Sequence, residues 1–199
     1  MKRIITLLQT TLVFALVGVI ILTLVVTESQ SKSGYSLTTK CSPAARNWII
    51  ERFSDSENIE ELLNDINNFI GTRTYIDRKP TDLFQFFDID KFIENDCNGL
   101  CYDWSCFSSI AVREICEYKG WQGITPLVVD AVSISDINNS HSFNFVVDGN
   151  NNATYYLDTT HDNTRKERGK QIIGVVNIGQ YSIEEFSENF CGYRITNYH

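Results

Sequence analysis

The chain has 199 residues, of which 43% are hydrophobic and 21% charged, and a formal net charge of −8. Those proportions belong to a folded chain and exclude wholesale disorder, and only 3 prolines and 11 glycines exclude a collagen-like or linker-dominated architecture. The acidic balance, with no Lys/Arg cluster beyond the N-terminus, argues against a nucleic-acid partner, because phosphate binding needs a positive surface.

The N-terminal segment Ile4–Val26 is uncharged over 23 positions. As a helix it would be about 35 Å long, enough to cross a hydrocarbon core of roughly 30 Å. Lys2 and Arg3 precede it and Glu28 follows it, which by the positive-inside bias puts the N-terminus in the cytoplasm. No small-x-small cleavage site closes the segment, so residues 1–27 read as an uncleaved signal anchor rather than a removed signal peptide. The membrane is then one partner, and the rest of the chain lies outside the cytoplasm as a single-pass protein. Residues 28–40, rich in Ser and Thr, read as a polar tether, and residues 41–199 as one domain.

Helical signals come first in that domain. Ser42-Pro43 supplies an N-cap and an N1 proline for a helix running through Ile50 and Phe53. Ser54 and Glu57 have capping-box spacing ahead of Ile59, Leu62, Leu63, Ile66, Phe69 and Ile70, with Gly71 as a closing residue. Thr81–Glu94 reads as one or two short helices. Leu100–Lys119 is apolar at helical spacing, with Asp103 in its first turn, Lys119 in its last and Gly120 beyond it.

After Gly120 the period changes to two. Ile124–Ile134, His141–Asp148, Ala153–Thr159 and Gln171–Ile178 read as strands, with Gly149-Asn150-Asn151-Asn152 as a hairpin turn. A short helix over Ser182–Asn189 precedes Tyr193-Arg194-Ile195. Helices followed by an antiparallel sheet make an α+β layout.

Six cysteines follow the anchor: Cys41, Cys97, Cys101, Cys106, Cys116 and Cys191. Cys106 and Cys116 share one helix about 15 Å apart, too far to bridge. Cys41, Cys97 and Cys191 lie outside helix interiors and are the ones placed to pair, with the connectivity left open.

Three residues carry chemistry together. Cys101 sits at a helix N-terminus, where the dipole favours a thiolate and free backbone N–H groups can stabilise an oxyanion. Alternation in the strand from His141 puts His141, Phe143 and Phe145 on one face, and that aromatic face is expected to meet the helix. Asp158, one hairpin away, can hold the imidazole through Nδ1–H. Singly, each has a plainer reading as a core thiol, a structural histidine or a turn aspartate; their joint placement points to an activated thiol nucleophile.

The motifs around them resemble a known family. Gly99-Leu100-Cys101-Tyr102-Asp103 is similar to the Gly-x-Cys-x-Asp opening of the catalytic helix in the transglutaminase-like superfamily of papain-like thiol enzymes. Ser140-His141-Ser142-Phe143-Asn144 and Tyr156-Leu157-Asp158-Thr159-Thr160 resemble that superfamily's His-x-aromatic-Asn and aromatic-x-Asp-x-Thr strands. The resemblance covers residues 95–162 and implies a papain-like core, a Cys101–His141–Asp158 triad, and no cofactor or metal. The upstream residue that supplies the second oxyanion donor is not identifiable from the motifs, and Asn98 is the candidate. It implies acyl transfer on a protein or peptide substrate, with hydrolysis favoured over transamidation. Trp104 and Cys106 depart from the pattern, standing where smaller or aliphatic residues are common. Asp103 reads as a structural residue of the helix start and His161 as a surface-loop residue. The rival readings are a catalytically inactive binding or scaffold domain of the same fold and a metal site from Cys97, Cys101, Cys106 and His141, whose spacing does not suit zinc.

Overall fold

Capping chemistry builds the helical half. The computed structural model describes residues 41–76, 87–160 and 174–199. Helix α1, Pro43–Phe53, opens as expected: the Ser42 hydroxyl accepts the Ala45 N–H at 3.0 Å, and it donates to Asp90 at 2.5 Å, tying α1 to a later helix. Helix α2, Ile59–Ile70, starts differently from the expectation. Ser54 is used up as the C-cap of α1, and Asn58 caps α2 by accepting the Glu61 N–H, while the Glu61 carboxylate turns back to the Glu57 N–H. Gly71 ends α2 in a right-handed conformation rather than the left-handed one that Gly usually supplies there. Helix α3 is Ile89–Glu94, the described part of the expected Thr81–Glu94 stretch. Helix α4, Cys101–Lys119, matches its expectation, and Gly120 closes it at φ 71°, a conformation that favours glycine.

Five strands follow: β1, Ile124–Ser133; β2, Ser140–Asp148; β3, Ala153–Leu157; β4, Val176–Asn177; and β5, Tyr193–Tyr198. They form one antiparallel sheet in the order β4-β3-β2-β1-β5. The expected strand over Gln171–Ile178 is thus short in its described part. Helix α5, Ile183–Phe186, is capped by Ser182 and runs directly into a π turn, Ser187–Cys191, that delivers the chain to β5. Among the described residues no helix is long and apolar enough to cross a membrane; the apolar segment Ile4–Val26 and His161 lie outside them.

The sheet separates two cores. On one side α1, α2 and α3 pack with α4 around Phe53, Leu62, Leu63, Ile66 and Phe107, and Val146, Tyr155 and Leu157 complete that core from the sheet. On the other side Phe143, Phe145 and Tyr156 pack with Phe186 of α5 and Tyr193 of β5. The aromatic face of β2 therefore meets α5 and β5, not α4, which corrects the expectation. The α4 face carries Ser142, Asn144 and Val146, smaller residues that let the long helix approach. Asn144 fastens the two layers, its side-chain amide donating to Ser105 O of α4 at 3.0 Å and to Leu127 O of β1 at 3.2 Å.

The turn into α4 has no spare room. A Cβ on Gly99 would stand 2.8 Å from both the Cβ and Oδ2 of Asp103 and 3.1 Å from a ring carbon of Phe92. Gly99→Ala is expected to lower unfolding stability by about 1–3 kcal/mol through this overpacking, read as a lowered urea midpoint at unchanged slope.

Candidate active site

Cys101 is the first residue of α4 and is partly exposed. The residues flanking it lock the helix start. Asp103 is buried, and its Oδ2 accepts the Leu100 N–H at 3.1 Å, satisfying one of the N–H groups that a helix leaves open. Its role is structural, as expected. Ahead of Cys101, Asp96 and Cys97 both adopt positive φ, 53° and 57°, a left-handed pair that non-glycine residues seldom take. The indole N–H of fully buried Trp104 donates to Cys97 O at 3.0 Å and holds that turn in place. The departure at Trp104 thus has a physical purpose: a large ring on the helix anchors the strained loop before the thiol.

Residues 74–76 run alongside. Ile76 N–H donates to Gly99 O at 2.9 Å, Tyr75 bridges to Gly99, and the Tyr75 ring meets Trp104 edge-on at 5.6 Å. Asn98 belongs to this junction. Its Oδ1 accepts the Thr74 N–H at 2.8 Å, so only Nδ2 of that side chain is left to donate elsewhere.

His141 and Asp158 come together at the other side of Cys101. The imidazole Nε2 lies 2.7 Å from Asp158 Oδ2, and the two side chains are 7% and 1% exposed, so the contact is dry. Asp158 follows directly on the last residue of β3. The nitrogen facing the carboxylate is Nε2 and not Nδ1, a correction that matters because it leaves Nδ1 as the ring nitrogen available to Cys101. Because a carboxylate only accepts, Nε2 carries the proton. Burial alone would push the imidazole down, but the Asp158 charge and hydrogen bond, together with Cys101, outweigh it and raise His141 well above its ordinary 6.5.

Aromatic residues from both neighbours enclose the pair. The His141 ring is 5.0 Å from the Tyr193 ring of β5 and 5.6 Å from Phe143. Tyr156 donates its hydroxyl to the same Oδ2 of Asp158 at 2.9 Å. Tyr156, Tyr193 and Asn144 were not assigned roles by sequence reasoning. The signal for Tyr156 and Asn144 was already within the strand motifs, whereas Tyr193 lies 52 residues from His141 and only the pairing of β5 with β1 brings it in.

The other cysteines have a different character. All six are free, including Cys41, Cys97 and Cys191, which were expected to be the ones placed to pair. Burial pushes the thiols of Cys41, Cys97 and Cys116 up to about 11 and Cys191 to about 12, and raises Cys106 as well. They are therefore protonated, weak nucleophiles at neutral pH. Among the described residues, no group of three or more His, Cys, Asp or Glu is arranged to hold a metal ion.

The fold and site together define an α+β domain in which a helix N-terminal cysteine meets a histidine–aspartate pair from an antiparallel sheet. Comparison with solved structures finds likeness to calcium-bound LapG of Legionella pneumophila, at 15% identity and a TM-score of 0.44 over 85% of each chain. It also finds likeness to a candidate cysteine protease from Cytophaga hutchinsonii, at 16% identity and a TM-score of 0.43 over 80% of this chain and 50% of that one. The chain spans about half the length of that second protein. No protein-family model and no curated protein matches the sequence.

The elevated imidazole makes stability depend on pH in a defined direction. A histidine that binds its proton more tightly folded than unfolded contributes stability that is fully present below about pH 6.5 and lost as pH rises through the folded value. Urea unfolding at successive pH values above 6.5 should show this decline, and His141→Gln is expected to flatten it.

Proposed function

We propose that this chain is a transglutaminase-like thiol enzyme that acts on peptide or amide bonds through Cys101, His141 and Asp158. The observation that carries the reading is the dry 2.7 Å contact between His141 Nε2 and Asp158, which leaves Nδ1 as the ring nitrogen for a thiol at a helix N-terminus. In this reading the Cys101 sulfur attacks the carbonyl carbon, and the electron pair of the C=O bond moves to oxygen. Collapse of that intermediate breaks the C–N bond, and the His141 imidazolium gives its proton to the departing amine. The acyl group is left as a thioester on Cys101. Water, deprotonated by the now neutral His141, then releases a carboxylic acid and restores the thiol. Asp158 keeps Nδ1 directed at sulfur and offsets the imidazolium charge.

The open N–H groups at the start of α4 are suited to the oxyanion, and Asn98 Nδ2 is the proposed second donor. Removing one such donor typically costs on the order of 10²–10³ in rate. We further propose that Ile4–Val26 anchors the enzyme in a membrane with the domain outside the cytoplasm. Its substrates would then be proteins or peptides met on that side.

The test is the alkylation of the purified full-length chain in detergent by iodoacetamide at pH 6.5, with each cysteine followed by peptide mass mapping. Cys101 is expected to react about tenfold or more faster than the other five, and His141→Ala to slow it by roughly 10–100-fold. A Cys101 that reacts no faster than its neighbours, or that ignores the change at 141, would leave a binding domain without catalysis.

A further inference from the structure

Strand β3 carries a tyrosine that no step above uses. Tyr156 is 1% exposed. Burial and the nearby Asp158 charge hold the Tyr156 hydroxyl well above its ordinary 10, so it stays protonated. Its single proton is directed at Asp158 Oδ2 at 2.9 Å. A chain of hydrogen bonds therefore runs from Tyr156 through Asp158 to His141.

Two donors share one carboxylate oxygen, and this has an electrostatic consequence. A hydrogen bond to an anion is worth most when no cation already neutralises it. The Tyr156 hydroxyl thus stabilises Asp158 more when His141 is neutral than when it is an imidazolium. It draws the proton affinity of the ring down from the level that a buried carboxylate alone would impose. An acid that must deliver its proton to a leaving amine needs that moderation. Geometry gains as well, since the second donor fixes the carboxylate in the direction that aims Nε2–H.

We propose that Tyr156 is a positioning residue that orients Asp158 and tempers its charge, so that His141 keeps Nδ1 on Cys101 and can release its proton. The chemical consequence rests on the thiol-enzyme reading above; the coupling of Tyr156 to His141 does not. The ionisable groups that face His141 are Cys101 from α4, Asp158 and Tyr156 from β3 and its end, and Tyr193 from β5. The β1 residue paired with it is Ala131, which carries no charge.

The experiment is a pH titration of the His141 ring nitrogens by NMR in the ¹⁵N-histidine-labelled full-length chain, which has 3 histidines to assign. Tyr156→Phe removes the hydroxyl and keeps the ring in its packing. It is expected to move the loss of the imidazolium proton to higher pH by about half a unit or more, and to move the pH profile of Cys101 alkylation with it. In the parent chain the Tyr156 hydroxyl proton should resist exchange with water and its resonance should move with the His141 titration. A His141 titration unchanged from the parent in folded Tyr156→Phe, or a parent Tyr156 hydroxyl resonance that ignores the His141 titration if that variant does not fold, overturns the proposal. An unreactive Cys101 beside a shifted His141 would sink the thiol-enzyme reading and leave the Tyr156 coupling standing. A reactive Cys101 beside an unmoved His141 would do the reverse.

Discussion

A histidine and an aspartate buried against each other are costly to take out of water, and the architecture around residues 141 and 158 is what makes the pair tolerable. Two ionised groups in a dry interior survive only when their remaining hydrogen-bonding capacity is met. Asp158 Oδ2 takes both His141 Nε2–H and the Tyr156 hydroxyl, and Cys101 joins Asp158 in favouring the protonated ring. Supplying these partners demands both sides of the sheet. The thiol comes from α4 on one layer, and the enclosing rings come from β5 and the second core on the other.

The same demand explains the crowding at the start of α4. In the proposed mechanism that terminus presents N–H groups to a reacting oxygen, a task that allows no drift of an ångström. Asp103 folds back over Gly99, Trp104 holds the left-handed turn at Asp96 and Cys97, and Asn144 fastens the helix to β1. Each is a short-range constraint on a different atom, and together they leave the Cys101 side chain as the part of that turn that is free to do chemistry.

Much of this was legible in the amino-acid order. Helix α4 declared itself by its long apolar period and by Gly120, and the hairpin of β2 and β3 by alternation around an Asn-rich turn. The expected placement of Cys101, His141 and Asp158 at element ends rested on their motifs, and the structure has Cys101 opening α4, His141 second in β2 and Asp158 directly after β3. Two features misled. Ser54 and Asn58 both offer caps four residues apart, and only the packed end of α1 decides that Ser54 belongs to it. Phe143 and Phe145 fix which residues share a face, but alternation is silent on what lies opposite, and here the bulky rings met α5 and β5 while the small residues admitted the helix. Tyr193 and Cys191 could not be placed from local pattern at all, since their positions depend on a strand pairing that spans more than 60 residues.

That long-range pairing has a consequence for how the protein matures. The ribosome makes α4, β2 and β3 before the π turn and β5, so a growing chain holds Cys101, His141 and Asp158 while the wall behind them is still missing. Until β5 docks on β1, the Tyr193 ring is absent and water reaches the imidazole and carboxylate from the open side. In water such a pair is weak and screened. The last strand to be made is therefore also the one that dries the His141–Asp158 pair, and the reactivity proposed for Cys101 waits on the completed fold.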